Sequence, residues 1–272
     1  MMHMGIKTIK KYLRIYRVLL KYSLIQSTAY RTSFFVEVVV ELGYQVMFIV
    51  FFGVLFGHIT EIAGWSYYEI LFLAGVNVFF SEVLWGMVFV FGLSRLPEDI
   101  KNGSVDAALL KPLNPLFNLT LSKPYFTSLI SSPLGLYLMG YSVVQLHRAI
   151  SITDIFFGTV VFCCGMVIVY SVSVILSSAS FLFLNIASFP QIIERTLDVY
   201  TRNPHTIYTG GLRIILFFIV PLVFVSSIPS STILRGVEFQ YVFLGIGLAA
   251  IFLCAAILTW NRMIRYYSSA SS

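Results

Sequence analysis

Long apolar stretches separated by short polar segments recur along the chain. A bilayer crossing needs about 20 mostly apolar residues. Six stretches qualify: about Thr32–Phe56, Tyr68–Leu93, Leu119–Val144, Ile155 to about Phe183, Leu212–Val225 extending toward Ser227, and Tyr241–Trp260. Residues 155–193 carry no charge, so the fourth helix is long, tilted, or followed by a buried turn. Pro221 interrupts the fifth and Pro229 follows it closely. Ahead of the first stretch, Ile6, Ile9, Leu13, Tyr16 and Leu20 recur at spacings of three or four, which makes one apolar helical face. Lys7, Lys10, Lys11, Arg14, Arg17 and Lys21 gather on a neighbouring face. That pattern predicts an amphipathic helix over 6–24, lying in one leaflet with its basic side toward lipid phosphates.

Composition agrees with the pattern. The 272 residues are 58% hydrophobic and 11% charged, where soluble domains carry about 25% charged residues. Too few charges are present to coat a soluble surface, so the chain reads as an all-α integral membrane protein. Residues 1–272 form a single domain without internal repeats. The formal net charge of +6 suits nucleic acid or an anionic membrane surface, and the placement of the basic residues beside the apolar stretches points to the membrane, with no nucleic-acid partner expected. Of the 18 Lys and Arg, all but Arg148 and Arg235 fall on one side of the six stretches. The positive-inside bias then places both termini and the loop after the second span in the cytoplasm of the cell (inner) membrane. No cleavable signal peptide is expected. Cys163, Cys164 and Cys254 sit in apolar runs as packing residues.

Candidate chemistry is sparse. No GxxxxGK[ST] phosphate loop occurs, the four histidines show no metal spacing, and no catalytic set converges. Carboxylates within the spans stand out because charge in hydrocarbon is expensive. Glu37 and Glu41 lie one turn apart in the first span. Glu82 sits in the second beside Ser81, one turn from Asn77. These groups either line a substrate route or make interhelical hydrogen bonds. Used alone, they would suit an autonomous channel or an ion-coupled transporter. Gly53 with Gly57, and Ser173 with Ser177 and Ser180, have helix-packing spacing, within one subunit or across a dimer. The stretch FIVPLVFVSSIPSSTILRGVEFQ (218–240) is too apolar for a solvated loop and too Pro-interrupted for a straight span. It suits a broken helix re-entering the outer leaflet, acting as a gate or as an interfacial elbow.

Between the second and third spans lies IKNGSVDAALLKPLNPLF (100–117). Pro97 starts a short helix with Glu98 and Asp99 in its first turn, and Gly103 ends it. Ser104 caps a second helix that Pro112 stops, and Asn114-Pro115 turns the chain into the third span. Val105, Leu109 and Leu110 are expected on about one side, resting on the bundle or docking into another protein.

This run resembles the G-x-(L/V)-D-x-x-L-L-(K/R)-P-L segment of ABC-2 type permeases, the membrane subunits of bacterial ABC exporters. The likeness extends to the basic arm leading into YRTSFF (30–35), GWS (64–66) and NPHTIYTGGLRIILFFIVPLVFVSSIP (203–229). Val105 stands where relatives more often have Leu. The resemblance implies six transmembrane helices, a re-entrant outer element over 226–240, and two permeases side by side on two ABC ATPase subunits. The pair would be a homodimer or a paralogous heterodimer. It implies that this chain binds no cofactor itself, ATP and Mg being held by the partner ATPase. The loop 94–118 would carry the coupling helix, a role that falls on Gly103, Asp106, Leu109, Leu110, Lys111 and Pro112. Translocation along the second and fifth spans would make Asn77, Glu82 and Pro221 pathway residues.

Overall fold

The helix at the centre of the fold is started by two side chains. The Ser66 amide donates to Glu69 Oε2 at 2.9 Å and the Ser66 hydroxyl reaches the same oxygen at 3.1 Å, satisfying groups that a helix start leaves open. The computed structural model describes residues 2–29, 31–84, 90–121, 124, 128–182 and 200–267. Expectations for the end of the second span, Lys123, residues 183–193 and Arg195 lie outside the described residues. So does the side chain of Lys7.

In chain order come α1 (Met2–Ala29), α2 (Arg31–Phe56) and α3 (Tyr67–Ser81), the last continued by a π turn through residues 82–84. Four short helices follow: α4 (Val90–Ser94), α5 (Leu96–Lys101), α6 (Ser104–Leu109) and α7 (Pro115–Leu121). Then come α8 (Ser128–Leu146) and α9 (Ile152–Ser178). The chain ends with α10 (Gly210–Ile214), α11 (Ser227–Arg235) and α12 (Phe239–Met263). Among the described residues no strand forms, only the isolated bridge Ile62–Trp65.

Among the described residues, four stretches are long and apolar enough to cross a membrane: Phe34–Phe56, Tyr67–Leu84, Ile152–Phe181 and Phe239–Tyr266. They are buried very unequally. Within the protein, 67% of the α3 window is buried but only 6% of the α2 window. The helix α3 is thus the hub, and α2 leaves an apolar surface that includes Val39, Met47, Val50 and Val54.

Packing follows from small residues. In hydrocarbon no water is expelled between helices, so association depends on close backbone contact. At the α3–α8 crossing, a Cβ on Gly75 would stand 2.8 Å from the Gly135 carbonyl oxygen, and one on Gly135 would stand 2.7 Å from the Gly75 oxygen. Gly165 of α9 likewise admits the backbone of Phe224 and Val225. The expected pair Gly53 and Gly57 makes no such approach: a Cβ on Gly53 would meet only the Tyr67 hydroxyl, at 3.8 Å. Ser173, Ser177 and Ser180 are buried inside the subunit.

The bundle has two distinct ends. At the turn end lie the α2–α3 turn, the α8–α9 turn, and the Arg235–Phe239 turn. Arg148, just after α8, and Arg235, at the end of α11, both reach Glu69 at the start of α3. At the loop end, Leu93, Leu96, Ile100, Val105, Ala108 and Leu119 share one core with Val174, Phe181, Ala256 and Trp260. The short helices are therefore clasped by the ends of α9 and α12.

Residues 212–225 differ from expectation. They do not form a span. The α10 helix runs into a π turn at Ile215–Ile219, the chain breaks at Pro221, and Leu222–Phe224 makes one 3₁₀ turn before α11. Both flanks of this segment sit at the turn end: Thr206 donates to the Ala63 carbonyl at 3.0 Å and Arg235 to that of Gly64 at 2.6 Å. Its middle is buried against Gly165 and Gly245. The cause is Pro221, which lacks the N–H a continuous helix would need. The helical part of the 226–240 segment is Ser227–Arg235, and its last two residues belong to α12. Arg202, expected on the loop side, stacks on Phe48 of α2, and Arg213 stacks on Phe217.

Candidate functional site

The loop end is built by turn chemistry. Pro97 opens α5 with Glu98 and Asp99 in its first turn, where the helix dipole favours acids. Gly103 then adopts φ +70, a left-handed conformation that a side chain would strain. It is itself the cap residue of α6, and Ser104 is the first helical residue rather than the cap. Asn114 caps α7, its Oδ1 accepting from the Leu116 amide at 2.9 Å. The turn Asn114-Pro115 thus opens another short helix, α7.

The expected apolar side is divided. Val105 is fully buried and Leu109 packs at the edge of the same core, whereas Leu110 is 86% exposed. With 100° per residue on a helix, Val105 and Leu110 cannot share a face once Leu110 lies past the last turn. Asp106 is half-buried near the chain's C-terminal end. Burial first, and then the Asp106 carboxylate, push the Tyr267 phenol above its ordinary value. The Asn118 amide donates to the Ala108 carbonyl at 3.2 Å and locks α6 to α7. Gly103, Asp106 and Leu109 therefore shape the unit, and Leu110, Lys111 and Pro112 form its exposed tip.

The helix α1 lies against this tip. Lys11 Nζ donates to the Pro112 carbonyl at 3.3 Å, the Asn114 amide to the Tyr12 hydroxyl at 3.1 Å, and Ser23 to the Pro124 carbonyl. The Tyr12 and Phe117 rings meet edge-to-face at 4.4 Å. Lys10, Lys11, Arg14, Arg17 and Lys21 remain exposed. The amphipathic helix is thus tied to the loop as well as free to present its basic side.

Of the intramembrane polar groups, Asn77 is buried and donates to Thr201 Oγ1 at 2.7 Å. The Thr201 carbonyl in turn accepts from Ser226. A polar chain thereby joins α3 to the buried turn that contains Pro221. Glu82 is buried in the π turn after α3. On α2, Glu41 accepts from Gln45 at 3.0 Å and Glu37 is exposed.

A further polar cluster lies at the turn end, and it involves none of the residues expected in the coupling loop or along the substrate route. Glu69, 4% exposed, pairs with Arg148 and Arg235, each at 3.1 Å. Arg235 also donates through Nε to Glu69 Oε1 at 3.2 Å and lies over the Trp65 ring at 4.4 Å. Arg148 Nη1 additionally donates to the Leu234 carbonyl at 3.3 Å. Beside the cluster, His205 is buried and its Nδ1 meets Ser227 Oγ at 2.8 Å. Burial, then Arg213 and Arg235, lower its pKa to about 4, so the ring is neutral. The signal for this cluster was the Ser66-x-x-Glu69 capping spacing, together with Arg148 and Arg235 being the cations set apart from the rest.

A family profile described as ABC-2 family transporter protein matches residues 42–271. No curated protein matches the chain. No solved structure matches it either.

Proposed function

Because the chain belongs to the ABC-2 transporter family, a membrane component without a nucleotide site of its own, we propose that it is the permease subunit of an ATP-driven exporter. ATP and Mg are bound by a separate ABC ATPase, present in two copies beneath a permease dimer, homomeric or paired with a paralogue. The family match over 42–271 carries this reading.

The geometry supports a six-crossing topology with the loop end in the cytoplasm of the cell membrane. To the four long apolar stretches is added α8, whose 19 residues extend about 28 Å. Phe181 packs in the loop-end core and His205 against Trp65 at the turn end, so these two described residues lie at opposite ends of the bundle. The crossing expected over 212–225 is not made by those residues, which are broken at Pro221. Residues 210–235 then act as the re-entrant outer element, entering and leaving at the same end. Both chain termini lie at the cytoplasmic end, with α1 on Pro112 and Tyr267 beside Asp106. Arg202 and Arg213 join Arg148 and Arg235 outside, and the cytoplasmic excess persists. Residues 1–272 act as one permease domain, with α2 facing lipid or the second permease.

Leu110, Lys111 and Pro112 dock into the ATPase, and the clasp of α9 and α12 on α5 and α6 passes ATPase closure to the bundle. Asn77, Pro221 and Glu82 lie along the substrate route. Co-purification with an ATPase encoded alongside tests the assignment, and gradient-driven flux by the chain alone would overturn it. The double variant Leu110→Asp, Lys111→Glu should reduce transport-coupled ATPase activity about tenfold or more, since burying an unpaired charge in an interface costs at least 1.4 kcal/mol. Unchanged coupling in that variant removes the docking role.

A further inference from the structure

The geometry points to a phosphate-binding site at the turn end, formed by Arg148 and Arg235 around the Glu69 carboxylate. A cavity of about 490 Å³ opens there, lined by Gly64, Glu69, Arg148, Leu234 and Arg235. Two guanidinium groups meet one carboxylate in it, and Glu69 is the only carboxylate among its described lining residues. One positive charge is left over.

The hydrogen-bonding capacity is also unfilled. A guanidinium carries five N–H donors in a planar fork. Arg148 uses Nη1, toward Glu69 and the Leu234 carbonyl. Arg235 uses Nε and Nη2, toward Glu69 and the Gly64 carbonyl. Arg148 Nε and Nη2 and Arg235 Nη1 remain for a ligand. The forks are held in place beforehand: the Trp65 ring lies beneath Arg235 at 4.4 Å, and Glu69 anchors both. They are also reachable, with side-chain exposures of 49% for Arg148 and 35% for Arg235. Planar, weakly hydrated donors that present several N–H groups suit the oxygens of a phosphate monoester or diester.

Depth agrees with this chemistry. The apolar stretch of α3 begins at Tyr67, and Gly64 precedes it. The cavity thus sits where hydrocarbon gives way to headgroups. The ligand is a phosphate oxyanion, drawn from an anionic lipid headgroup or from free phosphate. This assignment is independent of the ATPase and stands if the coupling role of Leu110 and Lys111 fails.

The test uses the full chain purified in a nonionic, phosphate-free detergent, titrated separately with inorganic phosphate and with dihexanoyl phosphatidylglycerol. The midpoint of thermal unfolding is followed throughout. A saturable rise with phosphatidylglycerol alone identifies the lipid, and one with both probes identifies a site open to free phosphate. Arg148→Gln, which leaves the Arg235–Glu69 fork intact, should raise the half-saturating concentration at least tenfold. As a second measurement on the unmodified chain, half-saturation should rise as sodium chloride is raised from about 0.05 to 0.5 M, where screening is strong. The assignment is overturned if neither probe gives a saturable shift, if Arg148→Gln binds as well as the parent chain, or if binding ignores salt.

Discussion

Removing the Glu69 carboxylate should loosen three elements at once. It joins the start of α3 to the turn after α8 through Arg148 and to the end of α11 through Arg235. Deleting one partner of a buried ion pair costs about 3–5 kcal/mol, because the remaining charge is left uncompensated. Here the remaining charges are two arginines with side-chain exposures of 49% and 35%. They rehydrate, so the lower value of about 3 kcal/mol applies. Glu69 also accepts from the Ser66 amide at 2.9 Å, and loss of that cap adds about 1 kcal/mol. The expected cost of Glu69→Ala is therefore about 4 kcal/mol. Unfolding of the purified chain in mixed micelles of increasing dodecyl sulfate content measures it. A double-mutant cycle divides it: Arg235, with three hydrogen bonds to Glu69 and Gly64, should couple to Glu69 by about 2 kcal/mol, and Arg148 by less than about 1. A Glu69→Ala cost below about 1 kcal/mol, or additive behaviour with Arg235→Ala, would refute the view that this cluster holds α11 to the bundle.

Two further outcomes follow from other contacts. Gly75→Val places a branched side chain where the Gly135 carbonyl lies 2.8 Å from the Cβ position. It should separate α3 from α8, lowering the recovery of folded protein and the unfolding midpoint, while Gly140→Ala, with open space around it, should leave both unchanged within about 0.5 kcal/mol. The pH dependence of stability reports on His205. Its pKa is about 4 when folded and about 6.5 when unfolded, so above pH 6.5 both states are neutral there and nothing changes. As pH falls from 6.5 to 4 the unfolded chain binds the proton more strongly, and the folding constant should drop up to tenfold per unit. Midpoints recorded across that range should decline in the parent chain, and this part of the decline should vanish in His205→Gln.

Much of the architecture was legible in the chain. Apolar run length fixes a helix that can span hydrocarbon, because each backbone group must find its partner within the element. That local rule marked the long helices around Phe34–Phe56, Ile152–Phe181 and Phe239–Tyr266. Turn residues marked the loop helices: Pro97 and Gly103 act locally, through a preset φ and a tolerated left-handed one. The basic arm was visible for the same reason, as a helical period needs no partner to be read.

Other features were decided by contact. Residues 212–225 are apolar enough for a span; Pro221 breaks the helix, and burial against Gly165 and Gly245, with both flanks held near Ala63 and Gly64, turns the broken segment back. Val105 and Leu110 are both apolar, and the core formed with Val174 and Trp260 is what buries the first and leaves the second exposed. Glu69, Arg148 and Arg235 lie 79 and 166 residues apart in the chain, so no spacing announces their meeting. Run length and period by themselves determined a bundle of membrane helices with a capped loop at one end. Tertiary packing decided which apolar segment turns back and which charges pair, because an apolar residue is equally stable against lipid or protein, whereas a buried charge is stable only beside its partner.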